Sequence, residues 1–118
     1  MVVEFYKLES GAKPAGEFIK SITDKELRAK MIRAIKLLEK YGTELGMPDS
    51  KYLEDGVFEL RAISGNNIAR CLYFFVVGNR AIVTNGYVKK TQRTPKDIIK
   101  KAKEYRLDFE RRNSNGRY

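Results

Sequence analysis

The chain has 118 residues, 42% apolar and 33% charged, which suits one domain with a single modest core. It holds no histidine and a single cysteine, Cys71, so an intramolecular disulfide is excluded, as are the usual neutral-pH acid/base group and the commonest metal ligand. The formal net charge is +9 and lopsided: residues 89–118 carry 11 Lys and Arg against 4 Asp and Glu, which points to nucleic acid, an acidic protein partner, or both.

In chain order, Val2–Lys7 is β-prone. Pro14 opens a short helix carried by Phe18, Ile19 and Ile22. A second helix is expected from Thr23, where T-D-K-E reads as a capping box with Glu26 reaching back. Leu27, Met31, Ala34, Ile35 and Leu38 recur at helical spacing up to Gly42. A loop over Thr43–Ser50 leads to three β-prone runs, Val57–Ile63, Ile68–Val77 and Ala81–Val88. They are separated by S-G-N-N and G-N, residues that accept the positive φ of hairpin turns. Thr94 as cap and Pro95 at the first helical position start a final helix, with Ile98, Ala102, Tyr105 and Phe109 as its apolar stripe. The tail from Arg111 has no periodicity. The expected architecture is α+β: β-α-α-β-β-β-α, an antiparallel sheet packed by an N-terminal helical hairpin and a C-terminal helix. Residues 1–112 form one domain and 113–118 a mobile tail.

The turns predict a register. With Gly65-Asn66 and Gly78-Asn79 as two-residue turns, Arg61 faces Arg70 and Arg70 faces Tyr87, and alternation adds Glu59, Asn85 and Lys89 to that face. The other face collects Phe58, Leu60, Ala62, Cys71, Tyr73, Phe75, Ile82 and Val88, where Cys71 reads as a buried structural thiol. Leu72, Phe74, Val76 and Val83 share the polar face and need a cover. Two arginines facing each other repel unless something negative lies between them. Either Glu59 neutralises them in a surface network, or the guanidinium forks, the phenol and a lysine form a phosphate site.

Other chemistry is excluded by what the chain lacks. Acidic residues are scattered apart from Glu54-Asp55, so no carboxylate cluster suggests a metal, and neither a Gly-rich phosphate loop nor a serine nucleophile motif is present. No cofactor is expected. No apolar run approaches the ~20 residues that cross a bilayer. The start M-V-V-E-F lacks a signal peptide's features, so a cytoplasmic protein without membrane association is expected.

The strings L-E-D-G-V-F-E-L-R, R-C-L-Y-F-F and N-G-Y-V-K-K-T-Q-R-T-P, in this order and spacing, resemble the phage-derived HigB-like group of the RelE/ParE toxin superfamily. The resemblance implies the toxin of a type II toxin–antitoxin pair that cleaves mRNA, commonly on the translating ribosome, with a HigA-like helix-turn-helix antitoxin as partner. It further implies that Arg61 and Arg70 hold the scissile phosphate while Lys89 and Lys90 share its charge. Tyr87 would stack on a base or assist the leaving oxygen. Glu59, or a lysine whose neutral form is favoured by cationic neighbours, would take the 2′-OH proton. Lys51, Arg93, Lys96 and Lys100 are the expected RNA contacts. The chain departs from the pattern in having T-P-K-D where RelE-like enzymes often carry a C-terminal tyrosine, and in lacking the histidines of some HigB proteins. A ParE-like gyrase inhibitor on the same fold and a non-catalytic basic nucleic-acid-binding module are the alternatives.

Overall fold

The computed structural model describes residues 1–89 and 93–118, with Lys89 described in its backbone only. Strand β1 (Val2–Phe5) leads to helices α1 (Pro14–Ser21) and α2 (Lys25–Tyr41), then strands β2 (Ser50–Glu54), β3 (Val57–Ser64), β4 (Asn67–Val76) and β5 (Arg80–Lys89), and finally helix α3 (Lys96–Ser114). The class is α+β, with three expectations corrected. The sheet has five strands in the order β1-β5-β4-β3-β2 and is mixed, because β1 pairs with β5 in parallel. The helical hairpin follows β1 instead of standing at the N-terminus. Strand β2 lies between the expected loop and the first β-prone run, where no strand was expected. It is too short and too charged to show alternation, and it forms because Ser50, Lys51 and Tyr52 pair with Leu60, Glu59 and Phe58.

The helix starts also differ from the sequence reading. Asp24, not Thr23, caps α2, its carboxylate accepting from the backbone N–H groups of Glu26 and Leu27 at 3.0 and 3.1 Å. Thr94 does not cap α3. Its hydroxyl is turned into the sheet, and Pro95 precedes the first helical residue without a side-chain cap.

The meander carries two irregularities that cancel. The β3–β4 hairpin closes on Gly65-Asn66 as expected, with Ser64 opposite Asn67 and Arg61 opposite Arg70. The β4–β5 hairpin pairs Val76 with Arg80, so three residues, Val77, Gly78 and Asn79, form its tip, one more than expected. A bulge at Thr84 then restores the count. Leu72 faces Asn85 while Tyr73 faces Val83, and Arg70 meets Tyr87 after all. Between the tip and the bulge the faces are exchanged. Val83 therefore packs in the hairpin-side core and Ile82 on the α3 side, the reverse of the expected placement. The extra residue is buried but satisfied: the Thr84 hydroxyl donates to the Leu72 carbonyl at 3.2 Å and lies 2.7 Å from Asn85 Oδ1.

Each face of the sheet has its own cover. α1 and α2 bury Leu60, Ala62, Cys71, Tyr73 and Val83 beneath Ile19, Leu27, Met31 and Leu38. Cys71 is fully buried, and desolvation pushes its thiol up to about 12, as suits a structural cysteine. α3 covers the other face, with Phe109 against Phe74 and Ile82, and Ile99 and Ala102 against Val57 and Leu72. Among the described residues no helix is long and apolar enough to cross a membrane.

Gly86 is set by space, not by backbone conformation. A Cβ there would stand 2.4 Å from Phe18 Cδ2 of α1 and 2.6 Å from the Arg70 carbonyl oxygen. One of those contacts is backbone, so the neighbours cannot simply give way. Gly86→Ala is expected to cost about 2–3 kcal/mol by overpacking. A thermal melt within error of wild type would refute this.

Helix α3 continues to Ser114, past the point where its apolar periodicity stops, and Tyr118 packs edge-on against Phe109 at 4.6 Å between ring centroids. Arg112, almost fully buried, holds Asp108 at 2.7 Å and lies 4.8 Å from the Tyr118 ring centre. The Tyr6 hydroxyl donates to Asp108. Burial and then this hydrogen bond to a carboxylate push the Tyr6 phenol from 10.0 to about 12. A raised acid stabilises the fold while it stays protonated, so this contribution is complete below pH 10.0 and is lost as the pH rises toward 12. Cys71, Tyr73 and Tyr118 are raised too and act in the same sense. Alkaline melts should therefore fall steeply over this range, and less steeply for Tyr6→Phe. Parallel curves for the two proteins would remove Tyr6 from the effect.

Candidate nucleic-acid interface

The polar row predicted from the turns exists, and the register explains why. Arg61, Arg70 and Tyr87 are successive cross-strand partners, and Glu59 stands two residues before Arg61 on the same face. The row lies under the N-terminal end of α3, where Thr94 reaches into it.

The Arg70 guanidinium is fully buried and donates to the Tyr87 hydroxyl at 2.8 Å and to Thr94 Oγ1 at 3.2 Å. Its carbon lies 5.7 Å from the Tyr87 ring centre. Thr94 in turn donates to Glu59 Oε2 at 2.5 Å. Glu59, 1% exposed, stands between the two arginines, 3.7 Å from Arg61 Nε and 3.9 Å from Arg70 Nη1. A carboxylate between facing guanidiniums relieves the repulsion that their pairing would otherwise create. The arrangement is a buried, charge-assisted network and not the open surface pair weighed from the sequence. Arg61 is its outermost cation, with 10% of its side chain exposed.

Beside the network runs a shallow groove between β2 and the start of α3, lined by Lys51, Tyr52, Leu53, Glu54, Arg93, Thr94, Lys96 and Ile99, with three cations against one carboxylate. Lys51, Arg93 and Lys96 were expected RNA contacts, and the fold gathers them around one depression whose wall is Thr94 of the buried network. Lys100 is exposed one helical turn beyond Lys96. Lys103, by contrast, is held by Asp55 at 2.6 Å and Glu54 at 2.5 Å, which raise its pKa. Lys90 lies outside the described residues, as does the Lys89 side chain. The Lys89 backbone pairs opposite Ile68.

Three residues of this region were not singled out from the sequence. Thr94 was read as a helix cap, because T-P before a helical run signals a cap as readily as anything else. Lys30 and Arg33 of α2 line a cleft with Arg61, Pro48 and Asp49. Helical spacing puts those cations on a solvated face, and no short-range signal says which strand they meet.

The arrangement presents Lys51, Arg93 and Lys96 around one groove and Arg61 with Lys30 and Arg33 in another cleft, while Arg70, Glu59 and Thr94 form a buried polar network with Tyr87. No curated protein matches the chain. Residues 17–106 match the family model described as phage derived protein Gp49-like (DUF891), a span that takes in the end of α1, all of α2, the whole meander, the polar row and the groove. The chain therefore belongs to the Gp49-like family of phage-derived proteins, which is associated with toxin–antitoxin systems.

Proposed function

We propose that this protein is the HigB-like toxin of a type II toxin–antitoxin pair and acts as an endoribonuclease on mRNA held by the ribosome. The observation that supports this reading best is the junction of the Arg61–Glu59–Arg70–Tyr87 row with the basic groove at Thr94. RNA carries its own nucleophile, so an enzyme needs only to align the 2′-OH with the adjacent phosphate and stabilise the charge that develops. The 2′-oxygen loses its proton to a base and bonds to phosphorus. The bond to the 5′-oxygen then breaks, and that oxygen takes up a proton, leaving a 2′,3′-cyclic phosphate and a 5′-hydroxyl. No metal is required for this step. Arg61 is the fork placed to meet the phosphoryl oxygens, and Arg70 acts through Tyr87, whose hydroxyl it fixes. Glu59 is the carboxylate available as base, and its burial means that the strand must enter past Thr94 for it to serve. An enzyme without histidine gains from RNA already positioned by a partner, which is the physical reason to place the reaction on the ribosome. A HigA-like helix-turn-helix antitoxin is the proposed neutralising partner.

The enclosure of Arg70 and Glu59 also favours a second reading, a basic module that binds RNA in the groove without cutting it. Primer extension on cellular mRNA after brief induction, beside Arg61→Ala, separates the two. Discrete breaks in translated regions, absent in the variant and suppressed by a translation inhibitor, are expected. Intact mRNA with salt-sensitive RNA binding would leave the binding module. Intact mRNA with accumulating DNA breaks would point to a gyrase inhibitor.

A further inference from the structure

We propose that the cleft between α1 and α2, on the sheet face away from the polar row, is the docking site for an amphipathic helix of a protein partner with acidic flanks. The cleft is floored by Phe5, Ile19 and Ile35 and edged by Lys13 and Lys20. Ile32 is 42% exposed at its rim. The floor is open because residue 16 is glycine, where a Cβ would stand 3.4 Å from the Phe5 ring. An apolar cleft with an exposed isoleucine beside it, on so charged a chain, is a candidate interaction site. A furrow between two helices is the shape that receives a third, with residues at i, i+4 and i+7 entering it.

Charge selects the occupant. Lys13 and Lys20 line the cleft, and Arg28 and Lys36 stand one turn to either side of Ile32 on α2, against Glu17 as the one acidic residue among the described lining. Acidic flanks complete such a rim and speed docking. A second copy of this chain would bring the same basic rim and a net charge of +9. RNA would find mainly aliphatic side chains and little to stack on. Because α1 and α2 cover the face opposite Arg70 and Glu59, a helix seated here does not touch those two residues. The inference goes beyond the nuclease reading and does not depend on RNA being cut.

The test uses the full chain and two synthetic helical peptides of about 20 residues. They share one leucine stripe, flanked by glutamates in one and by lysines in the other, and binding is read by fluorescence anisotropy. The acidic peptide should bind and its basic twin should not. Ile32→Asp should weaken the acidic peptide about tenfold or more. Combined Lys13→Glu and Lys20→Glu substitutions should shift preference toward the basic twin. Leu107→Asp, at an exposed position on α3, should leave binding unchanged. Circular dichroism melts establish that each variant is folded. No binding, equal binding of the two peptides, or indifference to Ile32→Asp would overturn the proposal. Displacement of the acidic peptide by single-stranded RNA, or self-association that Ile32→Asp abolishes, would also overturn it by assigning the cleft to another occupant.

Discussion

Glu59→Gln should be among the most damaging single substitutions in this chain. It keeps an acceptor for Thr94 but removes the negative charge shared by Arg61 and Arg70, one of which is fully buried. Removing one partner of a buried ion pair costs about 3–5 kcal/mol, and at ~4 °C per kcal/mol for a chain of this size the midpoint should fall by about 10–20 °C. A buried charged network can be replaced more safely than broken. The double variant Glu59→Leu with Arg70→Met should therefore recover part of the loss, giving a coupling of about 1–3 kcal/mol. Strictly additive effects, or a Glu59→Gln midpoint within a few degrees of wild type, would show that the carboxylate does not hold these arginines together.

Arg61→Ala should have the largest effect on activity. Arg61 is the outermost cation of the row and the one placed to reach a phosphate, while its ion pair to Glu59 is long at 3.7 Å. Loss of a fork that stabilises developing charge should lower RNA cleavage by about 100-fold or more. Stability should fall far less than with Glu59→Gln. Arg61→Lys should restore most of the stability but little of the activity, because an ammonium is a point charge and cannot bind two phosphoryl oxygens at fixed geometry. Single-turnover cleavage beside a thermal melt gives both numbers. Full activity in Arg61→Lys would mean that charge alone suffices, and full activity in Arg61→Ala would remove Arg61 from the site.

The parts of this architecture legible in the sequence are those with local causes. Gly65-Asn66 dictates a two-residue turn, and that turn alone places Arg61 opposite Arg70. The Arg70–Tyr87 pairing was read correctly for an incomplete reason. The tip of the second hairpin holds one residue more than its Gly-Asn signal suggests, and the bulge at Thr84 takes the shift back. No residue type announces that bulge, and the Thr84 hydroxyl that it buries is answered by the Leu72 carbonyl of the neighbouring strand. Ile82 and Val83 were exchanged as a result. Strand β2 was missed because four of its five residues are polar or aromatic in no regular order, and only β3 beside it makes them a strand. Thr94 illustrates the same limit at the site. Its sequence context describes a helix start, while its function in the fold is to join Glu59 to Arg70, partners 35 and 24 residues back along the chain.

The parallel pairing of β1 with β5 bears on the order in which a growing chain can be completed. Val2–Phe5 leave the ribosome long before their partners, Arg80–Val83. Through most of synthesis β1 has nothing to pair with, and the α1–α2 hairpin has no finished sheet beneath it. Contacts this distant in sequence form late and slowly. Thr94, which closes the polar row, emerges later still. A chain released after α2 but before that codon thus carries the helical hairpin without an assembled row, so the hairpin is made first and the row is completed last.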